Sequence, residues 1–132
     1  MRQNIAAGHC CVIERFNHQT SAIGADIDGD AAGDWSGTSV SLSSDGTTVA
    51  IGAPYNTGAN GSNSGHVRIY AWNSATSAWE QQGADIDGEA AGDQSGVSVS
   101  LSSDGATIAI GARNNTGANG SNSGHVRIYG WH

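Results

Sequence analysis

Two acidic segments contain the residues best suited to chemistry. Carboxylates alternate with other residues over 26–34, and the same pattern recurs over 85–93. Ca²⁺ takes about six to eight oxygen ligands, and a short loop with alternating carboxylates can supply several of them. One hypothesis is therefore a calcium site in each segment. The candidate metal ligands are Asp26, Asp28, Asp30, Asp34, Asp85, Asp87, Glu89 and Asp93.

The same segments also allow an interpretation in which the acids have a structural role and bind no calcium. An EF-hand loop has Gly at its sixth position and an acid at its twelfth, but Ala31 and Gly37 occupy those positions here. In the alternative, Ile27 enters the core while the acids stay solvated. Asp34 then accepts hydrogen bonds from backbone amides at a turn, as Asp commonly does.

Trp35 and two Asn-rich loops are the candidate ligand contacts. Trp35 has Gln94 as its counterpart in a repeat that otherwise changes little, so we expect an exposed indole that can stack on a sugar ring, although lone surface aromatic residues are also common. The loop over 56–64 recurs unchanged over 115–123. Its amides offer donors and acceptors, although solvated connectors have the same composition. The candidate ligand residues are Trp35, Asn56, Asn60, Asn63, Asn115, Asn119 and Asn122.

No motif supports catalysis. His66 and His125 have no Cys or second His nearby in the sequence, which argues against zinc. The pair Asp26 and Asp28 lacks a positioned general acid, so a hydrolase or lyase is the weakest hypothesis. The Gly-x-Gly spacings fall between strands and indicate turns, not a phosphate-binding loop. We expect a protein that is not an enzyme and has no cofactor apart from calcium.

The elements that position these residues come from an internal repeat. Residues 24–73 recur at residues 83–132, with 41 of 50 positions identical. A fixed step of this size indicates an array of supersecondary units. Within each unit the residues alternate between apolar and polar, which predicts half-buried strands. Asp45-Gly46 between two such runs predicts a hairpin, and Pro54 ends the returning strand.

The pattern predicts four short antiparallel strands in the first unit and three in the second. In the third strand, Val67 and Ile69 lie on one face and Arg68 and Tyr70 on the other. The predicted strands cover residues 38–43, 48–52, 66–72 and 78–82, then 97–102, 107–112 and 125–131.

Composition and charge narrow the class of protein. The chain has 132 residues, 20 of them Gly, and a hydrophobic fraction of 37%, which favours strands and turns over helices. The net charge of −7 and the lack of Lys argue against nucleic acid and anionic membrane as partners. No signal peptide or membrane-spanning run is evident. The adjacent Cys10 and Cys11 are predicted to be free thiols.

The chain resembles the FG-GAP-type, integrin-like repeats of β-propellers, in their bacterial form. The likeness rests on Ser36-Gly37-x-Ser39-Val40, Val49-Ala50-Ile51-Gly52-Ala53-Pro54 and Gly65-His66-Val67-Arg68-Ile69-Tyr70, most of which recur in the second unit. The resemblance implies propeller blades, an extracellular or cell-surface location, and binding. Ser36 and Ser95 replace the Phe of the family's Phe-Gly pair. The Ser-Asp-Gly joint is too short for the family's calcium loop, so Asp45 and Asp104 inherit no calcium role.

We therefore predict an all-β fold of two propeller blades, each a four-stranded antiparallel meander, with the second blade lacking its fourth strand. The predicted divisions are an N-terminal arm over 1–23, which is either the degenerate end of a preceding blade or unrelated, a first blade with its acidic connection over 24–82, and a second blade over 83–132.

The sequence is compatible with several kinds of partner. Propellers have about four to eight blades, so we expect either a homo-oligomer that closes a ring or a fragment of a longer propeller with a structural role only. The predicted function is binding or adhesion, with calcium assistance and a protein or glycan ligand. The alternative is a lectin-like propeller assembled from several chains.

Overall fold

The computed structural model describes residues 20–131, which contain strands and turns and no helix. Within this range there are eight strands: β1 (Ser39–Leu42), β2 (Thr48–Ala53), β3 (His66–Asn73), β4 (Ala78–Gln81), β5 (Ile86–Asp87), β6 (Ser98–Leu101), β7 (Thr107–Ala112) and β8 (His125–Gly130). Most of the predicted N-terminal arm, including Cys10 and Cys11, lies outside the described residues. The predicted all-β fold is confirmed.

The first sheet is an antiparallel meander in the order β1-β2-β3-β4. Ser43 and Thr48 flank the predicted hairpin, and the Asp45 carboxylate accepts hydrogen bonds from the backbone amide of Thr47 and from the Ser43 hydroxyl. Gly46 has φ of 75°, a conformation that a residue with a Cβ adopts at a cost. The hairpin prediction is therefore confirmed.

The second sheet repeats the first three strands in the order β6-β7-β8, with the same register. β7 ends at Ala112, before Arg113, as β2 ends at Ala53, before Pro54. Proline is therefore not required to end this strand. The predicted strands are confirmed with small differences at their ends.

The sequence pattern missed one strand. Ile86 and Asp87, which we expected to lie in a connecting loop, form β5 and pair antiparallel with His66 and Val67 of β3. A two-residue strand is too short to give a periodic pattern. Its partner also lies about twenty residues away along the chain, where local sequence gives no signal.

The hydrophobic core lies between the two sheets. The alternation predicted for β3 is confirmed, because Val67 and Ile69 are buried on the face that the second sheet covers. They join Ala50 from the first sheet and Ile108 and Ile110 from the second in one cluster. Each sheet thus buries one face against the other, as stacked sheets in a repeat array do.

Hydrogen bonds also cross between the sheets. The Ser39 hydroxyl donates to the carbonyl oxygen of Gly96 at 2.7 Å, and the backbone amide of Leu101 donates to the Ser41 hydroxyl at 2.9 Å. The small Ser side chains of β1 let the β6 backbone approach closely and give its polar groups partners.

Candidate functional site

The two acidic segments lie in equivalent connectors, which we call the first connector (24–37) and the second connector (83–96). The second connector docks on the end of the first sheet through β5 and through backbone hydrogen bonds. The amide of Gly88 donates to the Gly65 carbonyl and the amide of Ser95 donates to the Ser64 carbonyl, both at 2.9 Å. The second acidic segment therefore lies at the junction of the two units.

Arg68 on β3 binds carboxylates from both connectors. Its Nε donates to Asp85 at 2.8 Å and its Nη1 donates to Asp30 at 2.6 Å. Hydrogen bonds from Arg68 lower the pKa of the Asp85 carboxyl below its usual value, against the opposing effect of burial. The same carboxylates raise the pKa of Arg68, with Asp85 contributing most. The cluster is a charge-assisted junction between two units of the repeat.

A second pairing repeats in both units. Asn56 Nδ2 donates to Asp34 at 2.8 Å, and Asn115 Nδ2 donates to Asp93 at 2.8 Å. All four residues are buried. In each unit this hydrogen bond ties the connector to the long loop that follows the second strand. It satisfies polar groups whose burial unpaired would be costly.

The eight predicted metal ligands are not brought into one cluster. Within residues 20–131 the one group of three that could hold an ion is Asp30, His66 and Asp85. Arg68 already contacts both of these carboxylates, and His66 Nδ1 lies 3.7 Å from Asp85. Asp34 and Asp93 are engaged by Asn amides, Asp26 and Asp28 are exposed, and Asp87 lies in β5. Glu89 lies 3.6 Å from Arg127.

The Asn-rich loops divide into buried and exposed residues. Asn56 and Asn115 are buried against the acids, so their side chains are turned away from an external ligand. Asn60 Nδ2 donates to the Gly88 carbonyl at 2.7 Å and thereby holds the second connector. Asn63, together with its counterpart Asn122 and with Asn119, is exposed.

Trp35 is exposed, as its replacement by Gln94 predicts. Two-thirds of the residue, 66%, is accessible. Its ring and the ring of Tyr55 form a T-shaped contact, with centroids 5.0 Å apart and planes at 74°. Trp35 and Gln94 both have positive φ, of 59° and 57°. Because both units share this backbone conformation, the fold requires the conformation and leaves the residue type free.

The sequence pattern assigned no site role to two residues that belong to these sites. Arg68 holds the acidic cluster together, and a signal was available, since Arg127 repeats it at the same strand position. Tyr55 supports Trp35. The sequence signal for Tyr55 was that two positions change together between the units. Trp35 and Tyr55 of the first unit are replaced by Gln94 and Asn114 in the second.

A cleft between the sheets is too small to be the main binding site. Its volume is about 180 Å³, and its lining includes Ile69, Ile86, Tyr129 and Trp131. Ligand pockets in proteins usually measure about 300–1,000 Å³. A second cleft, of about 300 Å³ and lined by residues that include Asp26, Asp28 and Trp79, lies at the lower limit of this range, so volume alone does not select the site.

Two stacked antiparallel meanders, each preceded by a connector of the same sequence pattern, define a tandem-repeat protein of the propeller-blade class. The FG-GAP repeat family matches this chain at residues 19–70 and again at 84–129. The chain belongs to this family, and its two sheets are consistent with two propeller blades. A comparison with curated proteins gives no match. Residues 20–131 contain no helix long and apolar enough to cross a membrane.

Proposed function

We propose that this chain is a non-enzymatic binding module of a β-propeller, and that its ligand contacts lie on the loops around Trp35. The observation that carries the proposal is a local difference between nearly identical units. Nine of 50 positions differ, and three of the nine lie in this one cluster. The exchanged residues are Trp35, Pro54 and Tyr55 in the first unit and Gln94, Arg113 and Asn114 in the second.

Loops carry the binding residues of many proteins, and six of the nine exchanged positions lie outside the strands. In the single chain Tyr55 contacts the Trp35 ring and most of the indole is open to solvent, whereas the counterpart Gln94 is half-buried where the second connector docks on the first sheet. An exposed aromatic residue held in one orientation loses little conformational entropy when it binds. FG-GAP repeats often occur in extracellular proteins, which supports an extracellular or cell-surface location.

Carbohydrate is the ligand class that the exposed indole favours, with a protein ligand as the alternative. The test is binding of the purified chain to an array that carries glycans and extracellular matrix proteins. The matched control is Trp35→Gln, because Gln94 holds the same backbone conformation in the second unit. We expect the wild type to bind and the variant to lose roughly tenfold or more in affinity. Silence of the wild type on the whole array would reject the proposal.

We also propose that calcium assists binding at Asp30, His66 and Asp85, whose candidate ligand atoms lie within 4.8 Å of one another. A cation at Asp30 and Asp85 would have to displace Arg68, whose guanidinium contacts both carboxylates. The measurement is calorimetric titration with Ca²⁺ alone. Heat of binding that disappears in Asp85→Asn would support a calcium site, and no heat would end the hypothesis.

The contacts of Asp30 and Asp85 with Arg68 also support a function without catalysis. Asp30 and Asp85 hold an arginine, so neither is a free general acid or base. Arg68 keeps the Asp85 carboxyl ionised by lowering its pKa, whereas a general acid would need a raised pKa. Hydrolysis of any array ligand during incubation with the wild type would contradict this part.

A further inference from the structure

Among residues 20–131, the outer face of the second sheet is an uncovered copy of a buried face. Val126 and Ile128 on β8 are 64% and 70% exposed, whereas their counterparts Val67 and Ile69 on β3 are 0% and 4% exposed. The two pairs have the same sequence and the same position in the same kind of strand. They differ because the second sheet covers the first pair.

The outer face of the first sheet is the complementary copy. Val40 and Leu42 on β1 are 62% and 60% exposed. Their counterparts Val99 and Leu101 on β6 are partly buried and pack on the core cluster between the sheets. The chain therefore displays, at its two ends, both halves of the contact that it buries between its own sheets.

The charged residues of the internal contact also have counterparts at the two ends of the stack. Arg68 pairs with two acids, Asp30 and Asp85. Its counterpart Arg127 has one carboxylate within 4 Å among the described residues, that of Glu89 at 3.6 Å. Asp26 in the first connector is the counterpart of Asp85. Asp26 is exposed and forms no ion pair within residues 20–131.

We propose that the exposed face of β8 binds the first connector and β1 of a second copy of this chain, head to tail. The geometry is that of the internal contact. Asp26 of one copy pairs with Arg127 of the next, as Asp85 pairs with Arg68. Ile27 lies opposite Val126, as Ile86 lies opposite Val67.

Apolar burial drives this contact and the ion pair fixes its register. The two matching surfaces lie at opposite ends of the stack, so the contact is heterologous and repeats with a constant rotation. Such a contact closes into a ring when the rotation fits. Residues 20–131 of each copy contribute two sheets, so a ring built from these sheets alone has an even number of blades, within the range of about four to eight found in propellers.

The experiment reverses the charge on either side of the proposed contact. The mass of each protein in solution is then measured by light scattering over a range of concentrations. Wild type is expected to form an assembly of defined mass. D26R alone places two positive groups at each contact, and R127E alone places two negative groups there, so each is expected to lower association roughly tenfold or more. In a mixture of the two variants each contact between unlike chains joins opposite charges, so an assembly of two or four copies re-forms with the variants alternating, whereas a ring of three copies retains one contact between like charges.

A second pair of variants tests the apolar surfaces without relying on charge exchange. Ile128→Glu and Val40→Glu change residues that are mostly exposed, and each is expected to abolish the assembly while the chain keeps its β-sheet circular dichroism. Ala75→Glu in the exposed β3–β4 turn is the control and leaves the mass unchanged. A wild-type monomer at millimolar concentration, or an assembly indifferent to all four variants, would overturn the proposal. The mass does not depend on any ligand, so failure here is distinct from failure on the array.

Discussion

Arg68 on β3 and Asp85 in the second connector are joined by two hydrogen bonds, from Nε at 2.8 Å and from Nη2 at 3.1 Å. The two residues belong to different units of the repeat. Arg68 also holds Asp30 of its own unit. The Arg68 guanidinium therefore forms all of these hydrogen bonds only when the neighbouring units are docked. Its removal leaves the Asp30 and Asp85 carboxylates close together without a cation.

Acid should weaken the fold partly through Asp85. Arg68 holds the folded-state pKa of this carboxyl below its unfolded value of about 3.9. Ionised Asp85 therefore stabilises the native state above about pH 4, and this contribution is lost as the pH falls through the folded pKa. We expect the free energy of unfolding to fall in that range, and to fall less in Asp85→Asn.

The measurement is urea unfolding at a series of pH values. Asp45 and Asp104 have lowered pKa values through turn hydrogen bonds, chiefly to the amides of Thr47 and Ala106, and contribute with the same sign. The difference between wild type and Asp85→Asn isolates the junction. Parallel curves for the two proteins would show that the Arg68 contact does not persist in solution.

Equivalent isoleucines should differ sharply in their contribution to stability. Ile69→Ala leaves a cavity in the core between the sheets and is expected to cost about 2–4 kcal/mol. Ile128→Ala changes a mostly exposed residue and should cost within about 0.5 kcal/mol in dilute solution. Chemical unfolding of both variants at low protein concentration is the test. Equal losses would contradict the stacking of the two sheets.

Equivalent glycines should also differ. Gly37 and Gly96 share φ of 93°, so alanine is strained to the same extent at both. A Cβ at Gly96 would lie 2.8 Å from the His66 carbonyl oxygen, whereas one at Gly37 meets nothing within 4 Å. Gly96→Ala is therefore expected to lower the melting temperature more than Gly37→Ala. If Gly37→Ala lowers the melting temperature more than Gly96→Ala, the contact between the two units does not lie at Gly96.

The two buried Asn residues should contribute alike. Asn56→Ala and Asn115→Ala each leave a buried carboxylate without its amide partner, at an expected cost of about 1–3 kcal/mol. Thr57→Ala, at an exposed position in the same loop, is the control and should be close to neutral. Denaturant unfolding measures all three. A neutral Asn115→Ala would mean that the second loop is not tied to its connector.

Local sequence was sufficient to predict most of the strands. The alternation around Val67 and Ile69 and the Asp45-Gly46 turn depend on residues a few positions apart, and the structure confirms both. β5 was missed because its two residues are ordered by a partner on β3. Pairing across such a separation depends on how the chain returns, which periodicity does not encode.

The acidic segments show the same limit at the candidate site. Their spacing alone favours calcium as a hypothesis, because alternating carboxylates resemble a ligand set. The tertiary structure adds Arg68, which lies on a strand rather than in the loop, and adds Asn56 behind Asp34. The charge that balances a carboxylate is set by its neighbours in space.

The sequence by itself determined that two nearly identical β units follow one another and that each presents alternating faces. Only the tertiary structure decided which copy of each face is buried. Val67 and Val126 are the same residue in the same motif, yet one is enclosed and the other is open to solvent. The physical reason is that burial depends on the surface packed against a residue, and the second sheet stands on one side of the first.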